Sequence, residues 1–246
     1  MRVLSRIAAV VGVVGVLAAV WNVPKAGAGG FAVVYNGQKN DGGFNEAALN
    51  GVQKARRVLG IRVRERIADN PEMAERALHR FAQLGVTHLL TIGFANTPAV
   101  RAAAEAFPEA RFTLIDGVVR APNVKSIRFR EDQAGFLAGV VAGRVTRTDH
   151  LAFLAGMSIP PIARYGCGFL QGVRAVNPDA RVVWRTIGDT VTAFRDRSAA
   201  RAITREVMAE GADVIFPAAG YAGTAALCAA AEAGRPAVGV DRDQHA

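Results

Sequence analysis

Short apolar runs alternate with amphipathic stretches of helical period along nearly the whole chain. The run FAVVY, from Phe31, is followed by a polar, glycine-containing loop and then by Ala47, Ala48, Gly51, Val52, Ala55, Val58 and Leu59 on one stripe. This predicts a buried strand feeding a helix, the first half of a βαβ unit. The same alternation predicts strands over Ile61–Ala68, Val86–Ile92, Arg111–Ile115 and Val124–Phe129, with helices over Pro71–Leu84, opened by Asn70, and over Pro98–Phe107. It then repeats. Helices are expected over Asp132–Val145, Pro160–Val176 (stopped by Asn177-Pro178), Arg195–Glu210 and Gly223–Ala233, and strands over Leu151–Leu154, Arg181–Ile187, Asp213–Phe216 and Pro236–Val240. Regular alternation of this kind predicts an α/β protein with doubly wound parallel sheets. No linker rich in Pro, Gly or Ser separates the halves, so the expected organisation is an N-terminal lobe over 29–125 and a C-terminal lobe over 126–246, with a cleft between them.

Open parallel sheets bind ligands at the carboxyl ends of their strands. In the first half, Asn36, Asn40, Asp41, Gly42, Gly43, Phe44 and Asn45 fall there, followed by Gly93, Phe94 and Asn96 and then by Asp116. The second half offers Met157 and Ser158, the loop from Asp189 to Phe194, the Ala218–Tyr221 turn with Gly220, and Asp241. Carboxylates, amides, aromatic rings and close-approach glycines suit a neutral, flat, hydroxylated ligand. Each residue also has a local structural reading. Phe44 and Phe194 could staple helix entries, Asn45 could cap, Asp116 could form a turn with Gly117, Gly220 could permit a tight turn and Asp241 could cap the segment after it.

Residues 1–28 begin with Arg2 and Arg6, continue with a 14-residue apolar run from Ile7 to Val20, and end in Ala26-Gly27-Ala28. That layout predicts a cleavable secretory signal peptide, since a membrane-spanning helix needs about 20 apolar residues. Removing Arg2, Arg6 and Lys25 from the chain's 30 basic residues leaves 27 against 21 acidic ones, a mild net charge of +6. These charges are scattered, without the clustered basic footprint of a nucleic-acid binder. Hydrophobic residues at 51% with only 7% aromatics suit helices lying close on a sheet through small side chains. Cys167 and Cys228 both sit in apolar helical contexts and are expected as buried free thiols, with a disulfide as the alternative. The four histidines have no partners at metal-ligand spacing, and neither a metal nor a cofactor is expected.

The motifs NDGGFNEAALNG (Asn40–Gly51), FTLIDGVV (Phe112–Val119), NVKSIRFREDQAGFLAG (Asn123–Gly139), CGFLQGVRAVNP (Cys167–Pro178), GADVIFPAAG (Gly211–Gly220) and VGVDRDQ (Val238–Gln244) resemble, in order, those of the basic membrane protein family of ABC-transporter solute-binding proteins, which includes purine nucleoside receptors. The resemblance implies a type I periplasmic-binding-protein fold that closes on a purine nucleoside and delivers it to a membrane permease, acting as a monomer and without catalysis. By motif position, Phe44 and Phe194 would sandwich the base, Asp116 would bond its edge, Asp41 and Asn45 would belong to the same pocket, and Gly220 and Asp241 would hold the ribose hydroxyls. The stretch TAFRD around Phe194 only approximates the family's aromatic-x-x-Asp pattern. Two departures stand out. No cysteine follows the apolar run, which favours a soluble periplasmic protein over a lipoprotein. Relatives also continue for several tens of residues past the position of Ala246, through a lysine-containing segment that re-enters the first lobe, so the C-terminal lobe is expected to be incomplete, with weaker binding and a less cooperative fold. A ligand-sensing partner of a membrane receptor and a nucleoside hydrolase are the competing readings; the hydrolase would need a metal-binding aspartate cluster or a positioned acid and base, and no such pattern appears.

Overall fold

A computed structural model describes residues 30–244. The expected signal peptide lies outside the described residues. The first lobe runs β1 (Phe31–Tyr35), α1 (Phe44–Leu59), β2 (Val63–Ile67), α2 (Pro71–Gln83), β3 (His88–Ile92), a 3-10 turn (Phe94–Asn96), α3 (Thr97–Ala106), β4 (Arg111–Ile115) and β5 (Val124–Ile127). Its five strands are parallel in the order β2-β1-β3-β4-β5. Strand order reverses direction at β1, because β1 sits between β2 and β3; such a point opens a crevice at the strand ends. The two-residue period of β1 splits its side chains between faces. Ala32 and Val34 join Leu78, Phe81 and Val100 of α2 and α3 in one core. Val33 and Tyr35 join Val52 of α1 and Ile92 in the other.

The second lobe runs α4 (Glu131–Val145), β6 (His150–Ala155), α5 (Pro160–Val176), β7 (Arg181–Thr186), a 3-10 turn (Val191–Arg195), α6 (Arg197–Ala209), β8 (Val214–Ala218) and α7 (Gly220–Glu232). Its strands are parallel in the order β7-β6-β8. Three buried aromatic rings, those of Phe153, Phe169 and Phe216, meet at its centre, and Trp184 packs edge-on against Phe153 from the exposed side. The helices α4 and α5 pack at backbone distance. A Cβ at Gly135 or Gly139 would collide with the carbonyl oxygen of Tyr165 or Phe169, and one at Gly168 or Gly172 with that of Asp132 or Phe136. Only glycine fits at such crossings, where even a methyl group would force the helices apart.

Three expectations need correction. Pro236–Val240 does not form a strand; only Ala237 bridges, in parallel, to Ile215, so the segment has one rung and no ladder. The helix expected from Arg195 is divided, with Arg195 closing the 3-10 turn and α6 starting at Arg197 behind an Asp196 cap that accepts from the Ala199 amide at 2.9 Å. Cys167 and Cys228 are free and exposed, not buried. Around Cys167 the buried positions of α5 are Gly166, Gly168, Phe169, Gly172 and Val173, and around Cys228 those of α7 are Ala225, Ala226, Ala229 and Ala230, which leaves each thiol on the outer side. On α7, small apolar residues all round the helix hide which face is inward. Among the described residues no helix is long and apolar enough to cross a membrane.

Candidate functional site

A cavity of about 1010 Å³ opens between the lobes at the carboxyl ends of their strands and continues along the first sheet beside α1. Pockets for small molecules span about 300–1,000 Å³, so the cleft portion needs only part of this space. Asp41, Phe44, Asn45, Asp116, Phe194, Gly220 and Asp241 all line it.

Asp41 shapes the entry to α1. Its Oδ1 accepts from the amides of Gly43 and Glu46, and its Oδ2 from the backbone and side-chain nitrogens of Asn45, each at 3.0 Å. Four bonds fill the carboxylate, so its effect on a ligand passes through Asn45. With Nδ2 committed to Asp41, the Oδ1 of Asn45 is left buried without a donor. Phe44 is half-buried and rests on the Val33–Tyr35–Val52–Ile92 cluster while lining the cavity.

Phe194 stands on the opposite wall. A Cβ at Gly156 would come within 2.6 Å of its ring, and one at Gly220 within 3.5 Å; both glycines give the ring its seat. Gly220 has φ 55°, the left-handed conformation that glycine adopts at no steric cost. The ring facing Phe194 across the cleft is Phe94, with centroids 6.3 Å apart and planes tilted by 58°. Phe94, on the turn after β3, is therefore a cleft aromatic alongside Phe44.

Asp116 and Asp241 are two of three non-glycine residues with positive φ among the described residues, at 66° and 70°. Aspartate tolerates this region better than most residues, and such conformations cluster at ligand sites. Burial, then the charge and hydrogen bond of neighbouring Glu131, push Asp116 up to about 7 against the opposing pull of Arg164. Asp241 is accessible from the cleft, yet protein crowding around its carboxyl and then the Asp41 charge push it up to about 6.

Several contributors lie outside the set picked from sequence. Glu131 is 2% exposed, and its Oε2 accepts from Arg164 Nε at 2.7 Å while Oε1 has no donor. Asn36 likewise buries an Oδ1 without a donor. Asn36 belongs to the polar loop after β1, where the strand-end rule applies; Glu131 reads locally as a solvated first-turn acid, and nothing near it in sequence shows otherwise. Contacts also bridge the lobes. Arg195 bonds Asp69 at 2.9 Å and the Asn36 carbonyl at 3.0 Å, Arg242 pairs with Glu46, and Gln244 Nε2 donates to the Gly42 carbonyl at 2.9 Å.

Known proteins resemble the chain in both sequence and fold. It is 28% identical over 220 residues to basic membrane protein A2 of Borrelia garinii subsp. bavariensis, covering 87% of this chain and 64% of that protein. It is 32% identical over 171 residues to the ABC transporter nucleoside-binding protein BmpA of Lactococcus lactis, covering 66% and 48%. The chain thus spans just under two thirds of the length of the former and about half of the latter. Among solved structures, a solute-binding protein of an ABC transporter system from Aeropyrum pernix K1 superposes with a TM-score of 0.74 at 26% identity, over 83% of this chain and 59% of that one. Another from Conexibacter woesei gives 0.70 at 24% identity, over 88% and 71%, and shows the fold. The sequence profile of the Bmp family, described as ABC transporter substrate-binding protein PnrA-like, matches residues 30–246. The chain therefore belongs to that family, one of substrate-binding proteins and not of enzymes.

Proposed function

We propose that the protein binds a purine nucleoside in the interlobe cleft, outside the cytoplasm, and delivers it to the permease of an ABC importer. The observation that carries this reading is the set of buried acceptor oxygens without donors along the cavity: Asn36 Oδ1, Asn45 Oδ1 and Glu131 Oε1. Buried acceptors left unpaired each cost about 1–3 kcal/mol, so a ligand rich in N–H and O–H donors is the natural complement. The rings of Phe44, Phe94 and Phe194 line the same cavity as those acceptors and offer faces for a flat heterocycle; Asp241 and Gly220, which also line it, would take the sugar hydroxyls. The nucleoside-binding description of the Lactococcus lactis relative supports the same ligand class. Binding would act by differential affinity: a base and sugar bridging both walls stabilise the closed arrangement, and the permease reads it. An expected export signal over residues 1–28 and a periplasmic location belong to this reading.

A thermal-unfolding panel with adenosine, guanosine, inosine, cytidine, adenine and ribose tests it. A ligand at 100 times its Kd adds about 2.7 kcal/mol, which raises the transition by several degrees in a protein of this size. A shift with purine nucleosides but not with ribose is expected. A cooperative transition indifferent to every nucleoside refutes the ligand class.

A further inference from the structure

The chain turns from α1 into β2 through a tip that is both apolar and basic. The helices of the first lobe run opposite to its parallel strands, so α1 and α2 end at the edge of the sheet away from the cleft. Val58 and Leu59 close α1 there, 65% and 66% exposed, ahead of Gly60, whose φ of 63° stops the helix; Leu84, also exposed, ends α2. No acidic residue stands between Glu46 and Glu65, whereas Lys54, Arg56, Arg57, Arg62 and Arg64 do. Along the sequence these charges read as scattered, but the helix-to-strand turn gathers them around one tip. Glu65 is already matched, by Arg56 at 2.7 Å and Lys39 at 2.9 Å. Lys54, Arg57, Arg62 and Arg64 are exposed and form no ion pair among the described residues. Arg57 complements the carboxyl end of the α1 dipole, which accounts for neither the other three cations nor the aliphatic pair beside them.

We propose that this end of the first lobe is a membrane-contacting face: Lys54, Arg57, Arg62 and Arg64 pair with the headgroups of anionic phospholipids, while Val58 and Leu59 enter the boundary between headgroups and acyl chains. Basic side chains around exposed aliphatic ones are the pattern of interfacial attachment, and each cation close to an anionic bilayer adds to the attraction. With about two thirds of each aliphatic side chain accessible, the tip projects, and a fluid lipid surface closes around it without a matching pocket. Nucleic acid would satisfy the charge but gives no role to the aliphatic pair, since bases stack on aromatic faces. The chain also enters the fold at this end. Phe31 opens β1 beside Val63, and the apolar run of residues 7–20 lies just upstream in the sequence, so the most apolar stretch of the chain joins the lobe on the same side. The ligand cleft lies at the opposite, carboxyl edge of the sheet and is left clear by such contact.

Amide hydrogen exchange of the full chain tests this, measured with vesicles of phosphatidylcholine containing about one third phosphatidylglycerol and with vesicles of phosphatidylcholine alone. Exchange over residues 57–63 should slow on the anionic vesicles, not on the neutral ones, and the protection should disappear at about 0.5 M salt. The readout is local, so adsorption through any other segment does not imitate it. In R57Q/R62Q/R64Q the lipid concentration giving half of the protection should rise about a hundredfold, at about fivefold per cation. In V58S/L59S it should rise about tenfold. R174Q/R181Q/R235Q removes the same net charge from the second lobe and should leave the protection in place. No protection over residues 57–63 on anionic vesicles, equal protection on neutral ones, or equal losses in the two triple variants overturns the proposal. Protection by duplex DNA with none by vesicles also overturns it and assigns the face to nucleic acid.

Discussion

Replacing Arg195 by alanine removes a clasp that spans the cleft from its wall, where Arg195, Asp69 and Asn36 all line the cavity. Arg195 closes the 3-10 turn that carries Phe194 and reaches the first lobe at two points, the Asp69 carboxylate and the Asn36 carbonyl. Its approach is close enough that a Cβ at Gly37, where φ is 141°, would meet the guanidinium. The ion pair is well exposed, with 40% and 54% of the two side chains accessible, so it is worth about 0.2–1 kcal/mol. The bond to the carbonyl adds about 0.5–1.5 kcal/mol. Losing both costs the closed arrangement about 1–2 kcal/mol, a five- to thirtyfold change in its population. Apparent affinity scales with the fraction of binding-competent molecules, so R195A should weaken nucleoside binding by up to that factor. Most of the effect should appear as faster release in stopped-flow displacement. Small-angle scattering of the ligand-free variant should show a larger radius of gyration. R195K keeps the charge but not the fork, and should recover only part of the loss. Unchanged release rate and unchanged dimensions in R195A would show that these contacts do not hold the lobes together.

Three other outcomes are expected. Gly139→Ala places a methyl group against the Phe169 carbonyl and 2.8 Å from the Val173 amide, and should cost at least about 1–3 kcal/mol in urea unfolding; an unaltered midpoint would refute the close helix crossing. The raised Asp116 and Asp241 contribute stability that is present below the ordinary aspartate range and is lost as pH rises through about 6 to 7. The lowered Glu131 and Asp213 contribute stability that is lost as pH falls through the ordinary carboxylate range. From pH 5 to pH 8 the ligand-free protein should therefore lose stability, by at most about 3 kcal/mol from Asp116; a thermal transition in Asp116→Asn that still falls as steeply over that range would refute the assignment. Phe194→Ala should weaken nucleoside binding by about 1–3 kcal/mol in calorimetry, and an unchanged Kd would remove Phe194 from the stacking surface.

The alternation of apolar runs with helical stripes carried most of the architecture because strands such as β1, β6 and β8 are buried on both faces, which leaves a continuous apolar signature, while the edge strand β2 keeps exposed polar positions. It failed at Pro236–Val240, where an apolar run finds only one backbone rung on Ile215; hydropathy reports burial, whereas a strand also needs a partner. Asn70 and the Asn177-Pro178 stop were legible because their chemistry is local. The Asn70 side chain accepts from the Met73 amide at 2.8 Å, within the turn that it opens. The strand-end rule brought Asp41, Asn45, Asp116 and Phe194 to one cavity for a topological reason: every strand in each sheet points the same way. Asp241 reaches it too, although only the single rung at Ala237 precedes it. Glu131 escaped because its burial depends on Arg164, 33 residues away, and on glycine contacts between two helices. Phe94 was in view as a strand-end aromatic, but its position opposite Phe194 depends on how the lobes meet.

The glycine crossings between α4 and α5 also determine how motion would travel through the molecule. Helices meshed through side chains can slip by changing rotamers, but where the carbonyls of Tyr165, Phe169, Asp132 and Phe136 rest on bare Cα atoms there is no rotamer to change. The helix α4 starts at Glu131, directly after the chain leaves β5 of the first sheet through residues 128–130. Any turn made in those three residues is passed to α5 without lost play, as between keyed shafts. Glu131, Arg164 and Tyr165 would swing as one piece, and the angle of a three-residue joint would set how wide the far wall of the cleft stands.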